Sequence, residues 1–385
     1  MHELDIVRVR VYAVAPSSTP LYRWSGKDGF VRVTNNIVRL TARCGLEGVA
    51  SNTSNVPQGE DGSTSRQADR AVADRLGAIA PSVVGGNPIE RELFNDRCLA
   101  DSNDPRRQAE SLIDIALWDL TGKAIGLPLW ALLGGARRTI PAYASTPVLD
   151  TVEAYEDLLV NLSQRGFGAA KIHVWCEPQR DLELIRRLAK RFEGDIRLML
   201  DVEQRYSFDD AVVMGRELAH HNAIWFEAPL PDTDLEAYAE LRRAVDVPII
   251  CAGNTINALD CLDAGLVMGA WSSMRTGATH VGGIGAARRA MALAESRGVN
   301  VELQSYGFEG RKLANLHLAL GCGNCSFFEI PVPFEHYEYE MVCPPRPDAD
   351  GLMHASPASG LGLDINWQKV EADTLVVHDV SGELQ

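Results

Sequence analysis

Residues 198–203 read LMLDVE, a short apolar run that predicts a buried strand and ends abruptly in acid at Asp201. Three more runs have this shape, and they end in His173, Glu227 and Asn254. The four ends are spaced about 25 to 30 residues apart, which leaves room for a helix between consecutive strands. Strands and helices that alternate at this spacing predict a (β/α) barrel, whose strand ends meet on one active-site face.

The residues before the barrel predict a separate domain. Alternating side chains at residues 6–11 and 36–40 are typical of antiparallel strands, and a third strand follows. Helices are predicted next, over residues 65–79 with an end before Pro81, from Pro88 onward, and beyond residue 104. This order of elements indicates an α+β unit in front of the α/β barrel.

A chain of 385 residues is long enough for one large barrel and a smaller partner domain. We place the first boundary after a glycine pair, so that residues 1–135 form the N-terminal domain and residues 136–330 form the barrel. Eight strands are predicted within the barrel. Residues 331–385 do not repeat the strand–helix unit, and we expect them to pack back on the first domain.

Composition excludes several classes of function. A net charge of -15 argues against nucleic-acid binding, which needs a basic surface. The sequence has no apolar run of about 18 residues, so no membrane span is predicted. Eight scattered cysteines and a first segment without a signal-peptide pattern favour a reducing cytoplasm. The CxxC of Cys322 and Cys325 lacks a second pair, and two buried thiols are the simpler interpretation.

The segment that joins the first two strands is polar and aromatic. Residues 22–29 read YRWSGKDG and include Tyr22 and Trp24. Exposed aromatic side chains beside glycines suit a mobile lid that closes over a ligand, with an ordinary surface loop as the alternative.

Two motifs carry a family resemblance. Residues 114–123 read DIALWDLTGK and lead to LLGG at 132–135, while residues 281–284 read VGGI. With the barrel pattern, they resemble the mandelate racemase and muconate lactonizing branch of the enolase superfamily over nearly the whole chain. The resemblance implies a modified TIM-like barrel under an N-terminal α+β capping domain, which the C-terminal tail completes. It also implies one Mg²⁺, a small-molecule carboxylate substrate, removal of the proton beside that carboxylate to give an enediolate, and a homo-oligomer.

The resemblance places Asp201 and Glu227 at the first two metal-ligand positions. Their hard oxygen atoms suit Mg²⁺, although each carboxylate could instead cap a neighbouring helix. The third position, usually an acid in the family, is Asn254 here. An amide oxygen can coordinate but carries no charge, so we predict weaker Mg²⁺ binding and a stronger Lewis acid. The alternative is that Asn254 only hydrogen-bonds.

Lys171 and His173 are the predicted catalytic residues. They are two apart on a strand and therefore point to the same face. A lysine near a divalent cation is pushed toward its neutral form and can take a proton, and histidine needs less perturbation to do so. A fixed cation for Lys171 and a plain hydrogen-bonding role for His173 are the alternatives. We interpret His280 as a structural loop residue.

The opposite side of the site departs from the family pattern. Gly277 stands where the family often has an aspartate or a lysine. Gln304 stands where the family has the histidine of a His–Asp dyad, so that dyad is absent here. Arg275 is in phase with Gly277 and is predicted to enter the site as a cation. Glu329 matches an acid that can donate to the substrate carboxylate, or it is a structural acid. Glu203 points inward near Asp201. With Tyr22 and Trp24, the predicted substrate-binding residues are Arg275, Gln304 and Glu329.

Proton carriers can thus be named on one face of the substrate only. Syn elimination needs one face, which favours a Mg²⁺-dependent dehydratase acting on a polyhydroxy acid. An isomerase of the same branch (a racemase, epimerase or cycloisomerase) is the runner-up, with Arg275 or an unrecognised group as second acid. The third hypothesis is a catalytically silent relative that binds a small acid. A phosphate site at the glycines of residues 282–285 is the weakest, because the expected downstream acid is missing.

Overall fold

A computed structural model describes residues 3–16, 23–28, 31–57, 66–98, 106–253 and 258–382. These residues form an antiparallel sheet with helices, a parallel barrel-like domain and a C-terminal segment that contacts both. The predicted fold class is confirmed. Within these ranges, no helix combines the length and apolar character needed to cross a bilayer.

The N-terminal sheet is antiparallel, and a strand from the far end of the chain completes it. Its strands, in the spatial order β13-β1-β2-β3, are β1 (Ile6–Val14), β2 (Val31–Ala42), β3 (Glu47–Pro57) and β13 (Thr374–Ser381). Val9 and Val11 are buried, Arg10 between them is half-buried and Arg8 before them is exposed, which confirms the alternation. β13 pairs with β1 and sets Val11 opposite His378, so the tail completes the cap as expected.

The helices of the cap are α1 (Arg66–Val83), α2 (Arg91–Cys98), α3 (Arg106–Ile125) and α4 (Leu129–Leu132). The predicted end of α1 before Pro81 is wrong, because a proline in the last turn removes a single backbone hydrogen bond and the helix continues to Val83. The predicted start of α2 at Pro88 is also wrong. The side chain of Asn87 accepts a hydrogen bond from the Ile89 N–H at 3.0 Å, and this turn delays the helix.

Eight parallel strands build the described barrel, as predicted: β4 (Thr139–Ser145), β5 (Ala169–His173), β6 (Arg197–Asp201), β7 (Phe226–Glu227), β8 (Ile249–Ile250), β9 (Met274–Thr276), β10 (Val301–Leu303) and β11 (Phe328–Pro331). β11-β4-β5-β6-β7-β8 form one ladder and β9 pairs with β10. A single bridge between Ile250 and Ser273 joins the two groups.

Helices connect consecutive strands, with two of them between β9 and β10: α5 (Val152–Gln164), α6 (Pro178–Arg191), α7 (Phe208–His220), α8 (Leu235–Ala244), α9 (Leu259–Met268), α10 (Ala278–Val281), α11 (Ile284–Ser296) and α12 (Glu309–Cys322). The hydroxyl of Ser207 accepts a hydrogen bond from the Asp210 N–H at 3.2 Å and caps α7.

The C-terminal segment contacts the barrel as well as the cap. It contains a 3₁₀ turn (Phe334–His336), β12 (Leu352–His354) and α13 (Trp367–Ala372). β12 is antiparallel to β4 with Met353 opposite Ile140, a contact that the sequence did not indicate. Cys44, Cys261 and Cys343 are exposed, whereas Cys325 of the CxxC pair is buried and Cys322 is half-buried.

The cap is joined to the barrel at the N-terminus of α12. The Phe308 N–H donates to Thr53 Oγ1 of β3 at 2.7 Å, and the Gly310 N–H donates to Glu340 Oε1 at 2.6 Å. Ser51 of β3 donates to the same Glu340 oxygen at 2.5 Å. A β-carbon at Gly310 would lie 1.9 Å from Ser51 Oγ, so only glycine allows this approach. The joint holds β3 over the open end of the barrel.

Candidate active site

Three neighbouring barrel strands end in polar side chains. Lys171 and His173 close β5, Asp201 closes β6 and Glu227 closes β7. The pairing sets His173 opposite Asp201, and Asp201 opposite Glu227. All four side chains are buried, and both Lys171 and His173 reach Asp201, as expected for residues two apart on a strand. The fold therefore places two bases and two acids together at the carboxyl ends of the barrel strands, which we call the rim.

The ammonium group of Lys171 lies among three buried carboxylates. Its Nζ is 2.9 Å from Glu227 Oε1, 3.2 Å from Asp201 Oδ2 and 3.2 Å from Glu329 Oε1. Burial opposes the charged form and so does Arg275, but Glu227 and Glu329 keep the pKa of Lys171 well above its ordinary value. Among these carboxylates Lys171 is therefore charged. The neutral form that we predicted for Lys171 depends on a divalent cation beside it.

Arg275 approaches these carboxylates from β9, on the opposite side of the barrel. Its Nε lies 2.7 Å from Glu227 Oε1, and its Nη2 lies 3.1 Å from both oxygens of Glu329. Ser305 donates its N–H to Glu329 at 2.7 Å. Burial favours the neutral acid, yet Arg275 and Lys171 hold the pKa of Glu329 well below its usual range. Glu329 is therefore a fixed carboxylate and Arg275 a fixed cation, so neither is suited to donate a proton.

His173 has a defined tautomer. Its Nδ1 lies 2.6 Å from the Thr146 carbonyl oxygen, which can only accept, so Nδ1 carries a hydrogen. Nε2 faces Asp201 Oδ2 at 3.3 Å and Glu203 Oε1 at 3.7 Å. Burial lowers the pKa of His173, but the charge and hydrogen bond of Asp201, with Glu203, raise it to about 9 overall. Nε2 is the ring atom that points to the acids.

Asp201 and Glu227 suit a hard cation. Each places an oxygen within 3.2 Å of Lys171 Nζ, so the two carboxylates face one small buried region, and carboxylate oxygens are the ligands Mg²⁺ takes in proteins. His173, Asp201 and Glu203 form a second grouping whose ligand atoms all lie within 4.8 Å of one another, but imidazole is the poorer ligand for Mg²⁺. Asn254 lies outside the described residues. The residues present therefore fit Mg²⁺ at Asp201 and Glu227.

The site opens into a cavity of about 390 Å³ between barrel and cap. Barrel residues that line it include Lys171, His173, Asp201, Glu203, Gln304 and Glu329. Cap residues that line it are Thr53, Ser54, Val72 and Gln108. A volume of this size is typical of small-molecule sites. Of the predicted substrate-binding residues, Trp24, Gln304 and Glu329 line the cavity, whereas Arg275 lies deeper and Tyr22 lies outside the described residues.

The predicted lid packs on the catalytic side chains. The Trp24 ring is 4.2 Å from that of Tyr306, edge to face, and 6.0 Å from that of His173. An ion pair between Asp28 and Arg205 holds the segment to the barrel, and Arg23 contacts Asp150 at 3.1 Å. In this arrangement residues 23–28 cover the cavity, which fits the lid interpretation.

Three cavity residues were missed or misread at the sequence level. His280 lines the cavity, although its sequence position suggested a structural loop role. Tyr306 and Arg311, also in the lining, belong to the segment after β10. The only signal was their position just beyond a barrel strand, since strand-end loops build the active-site face.

The cap, the barrel and the acidic strand ends together define an α/β-barrel enzyme of the enolase class. A profile of the enolase C-terminal domain-like family matches residues 154–369, and one of the mandelate racemase / muconate lactonizing enzyme N-terminal domain matches residues 9–134. The chain belongs to the mandelate racemase/muconate lactonizing enzyme family of the enolase superfamily, as the sequence motifs predicted.

Relatives span more than one reaction. A solved Pseudovibrio sp. structure, described as a candidate mandelate racemase/muconate lactonizing enzyme, is 34% identical with a TM-score of 0.93, and the match covers 99% of this chain and 100% of that one. L-talarate/galactarate dehydratase of Salmonella typhimurium is 27% identical over 350 residues, 86% of this chain and 80% of that one. A mutant form of that enzyme was solved with Mg and L-glucarate (TM-score 0.86, 24% identity, covering 98% of this chain and 94% of that one). N-succinylamino acid racemase of Thermus thermophilus is 27% identical over 299 residues, 77% of this chain and 78% of that one.

Proposed function

We propose that this protein is a Mg²⁺-dependent dehydratase that removes the proton beside the carboxylate of a polyhydroxy acid and eliminates water. The observation that carries the proposal is the grouping of Lys171 Nζ and His173 Nε2 around Asp201, on one side of the cavity. One group on one face can take a proton and return it to a leaving hydroxyl, which is what syn elimination requires. The similarity to L-talarate/galactarate dehydratase supports the same class of substrate.

Asp201 and Glu227 would hold the metal ion, with Asn254 as the third ligand predicted from the sequence. When bound there, Mg²⁺ would polarise the substrate carboxylate and acidify the neighbouring C–H bond. Glu329 and Arg275 form a fixed ion pair below this position and keep Glu227 oriented.

His173 is the group we assign to proton transfer. Removal of the α-proton needs a neutral base, and the pKa of His173, at about 9, lies closer to neutrality than the raised pKa of Lys171. The Thr146 carbonyl fixes the ring so that Nε2 faces the cavity. Lys171 then remains a cation that binds the substrate carboxylate. Trp24, packed against His173 and Tyr306, excludes water from the reacting side.

The proposal is tested by incubating the protein and Mg²⁺ with a panel of acid sugars and following 2-keto acid formation. We expect at least one acid to give a 2-keto acid, and we expect His173→Asn to lose that activity by at least about a hundredfold. Arg289→Gln, which removes a surface cation from α11, is the matched control and should react as the wild type does. Products that are only epimers or lactones would reject dehydration.

An epimerase or racemase is the second candidate, favoured by the position of His280. His280 follows β9, the sixth barrel strand, and β9 lies across the barrel from β5, which carries Lys171 and His173. Its imidazole lines the same cavity and could act on the second face of the substrate. The relatives include a racemase as well. Incorporation of deuterium from D₂O into the substrate, without net elimination, would favour this candidate over the dehydratase.

A further inference from the structure

The cavity contains a buried cation that the proposed chemistry does not use. Arg311, in the first turn of α12, lines the cavity with only 9% of its surface exposed. Lys171 and Arg275 are each held by carboxylates at 2.7 to 3.2 Å. Among the described residues, no carboxylate oxygen lies within 4.0 Å of the Arg311 guanidinium. Arg311 thus differs from the other two buried cations of the site.

The one described hydrogen-bond partner of Arg311 is neutral. Its Nη2 lies 2.5 Å from His280 Nε2, and its buried Nε has no hydrogen-bond partner within the described part of the chain. Burial and the charge of Arg311 keep the pKa of His280 well below its ordinary value, so the ring accepts a hydrogen bond and supplies no negative charge. Burial lowers the pKa of Arg311 to about 10, which leaves the guanidinium charged at neutral pH.

The surroundings leave the guanidinium as the available donor. The nearby N–H groups of Phe308 and Gly310 are already bonded to Thr53 and Glu340. Gln304 lines the same cavity, and its buried Oε1 also has no described hydrogen-bond partner. A buried charge or amide without a partner is costly, and the cost is recovered when a ligand supplies the missing group. The unpaired donor of Arg311 and the unpaired acceptor of Gln304 therefore suit a ligand that has an anionic group and a hydroxyl close to it.

We propose that Arg311, which contacts His280 and shares the cavity with Gln304, binds a second carboxylate of the substrate, remote from the reacting carbon. The substrate class is then an acyclic polyhydroxy dicarboxylic acid. A carboxylate is favoured over a phosphate monoester because one guanidinium balances a single negative charge, whereas a phosphate carries nearly two. The inference rests on the proposed function, since it takes Lys171 and Asp201 as the reacting end of the cavity.

The test compares matched acids that differ at one end only. Binding of galactarate and galactonate, and of glucarate and gluconate, is measured by calorimetry with Mg²⁺, in a His173→Asn background wherever the acid reacts. We expect at least one diacid to bind about 10- to 100-fold tighter than its monoacid, the range of a charge-assisted hydrogen bond. Arg311→Gln should remove most of this preference and change monoacid affinity by less than about threefold. Arg311→Lys should keep part of it, and Arg289→Gln all of it.

Thermal melting distinguishes the loss of a ligand contact in Arg311→Gln from a failure of that variant to fold. Since Arg311 is a buried charge with no described carboxylate within 4.0 Å, ligand-free Arg311→Gln should melt no lower than the wild type. If that variant does not fold, the wild-type comparison of matched acids decides alone, and equal affinities overturn the inference. Equal weakening of both acids by Arg311→Gln also overturns it, as does tighter binding of 6-phosphogluconate than of any diacid.

Turnover separates this inference from the proposed function. If the wild type dehydrates monoacids without any preference for diacids, the assignment of Arg311 fails and the proposed function stands. If diacids bind through Arg311 but no 2-keto acid forms, the assignment stands and the proposed function fails. If no acid of the panel binds in the presence of Mg²⁺, both are overturned.

Discussion

Replacing Glu340 by glutamine should remove a pH dependence from the stability of the joint between cap and barrel. Glu340 is fully buried and accepts hydrogen bonds from Asn35, Ser51 and Gly310 at 2.5 to 2.6 Å. These donors favour the charged form. Burial is the largest opposing effect, and the charge of the nearby Glu309 adds to it. Together they outweigh the donors and raise the pKa of Glu340 to about 7. The folded protein therefore binds a proton at Glu340 more tightly than the unfolded chain does.

The sign and size follow from that difference. Between an unfolded pKa of 4.5 and a folded pKa of about 7, the folded state holds the proton that the unfolded state has released. The stabilisation is fully present below pH 4.5 and is lost as pH rises through 7. A tenfold change in proton affinity is worth about 1.4 kcal/mol, so the free energy of unfolding should fall by roughly 2–3 kcal/mol between pH 5 and pH 8 through this group.

The assay is urea-induced unfolding at pH 5 and pH 8, followed by tryptophan fluorescence. In Glu340→Gln, the change in the free energy of unfolding between the two pH values should be smaller than in the wild type by that amount. Glu338→Gln, two residues earlier and paired with Arg346, removes a charge from the same segment and serves as the control. If Glu340→Gln loses as much stability between pH 5 and pH 8 as the wild type does, the raised pKa is wrong.

Other perturbations act on the site directly. Lys171→Met should destabilise the metal-free protein by about 3–5 kcal/mol, because three buried carboxylates lose their cation, and Mg²⁺ should restore part of the loss; urea unfolding in EDTA equal to wild type would contradict this. Asp28→Asn should free the lid from Arg205, raising KM about threefold or more while changing stability by less than about 1 kcal/mol; steady-state kinetics and thermal melts measure both, and an unchanged KM would argue against a lid. Asn254→Asp should tighten Mg²⁺ binding in calorimetry, and an affinity that does not rise would refute the charge argument.

The fold could be predicted because it depends on local patterns. Alternation at β1 and β2 and the regular spacing of strand ends specify antiparallel and parallel sheets with little ambiguity. Pro81 shows the limit of local signals, since a proline near a helix end is tolerated when a single hydrogen bond is lost. The pairing of β12 with β4 could not be foreseen either. A three-residue strand carries no period, and its partner is more than 200 residues away.

The site was predictable where residues share a strand or stand at matched strand ends, as Lys171, His173, Asp201 and Glu227 do. The side of the cavity formed by His280, Tyr306 and Arg311 was not predictable. Its contacts join elements whose spatial arrangement cannot be inferred from the sequence. Arg311 has the usual sequence context of a surface helix cation, yet it is buried and lines a cavity that Thr53 and Ser54 of the cap also line. Burial of a charge is a property of the assembled layers, and no pattern within α12 reports it.

Charge balance at the rim connects the metal to the substrate. Burial raises the pKa of Glu227 to about 8, so this carboxyl must release its proton when a metal ion binds. Once Glu227 is ionised, Lys171 and Arg275 bring two positive charges to the carboxylates of Asp201, Glu227 and Glu329, which leaves one negative charge in excess. His173 and Glu203 cancel when both are ionised.

A divalent cation turns that single excess negative charge into a single excess positive one, since the third ligand predicted from the sequence, Asn254, is neutral. A substrate carboxylate then restores neutrality among side chains that are buried. We therefore expect Mg²⁺ and substrate to bind with positive coupling, each raising the affinity of the other by about tenfold. An aspartate at position 254 would supply the missing charge in advance, so Asn254→Asp should bind Mg²⁺ more tightly alone and show less coupling. Coupling that is equal in the two proteins would mean that the balance of charge at the rim does not control the order of binding.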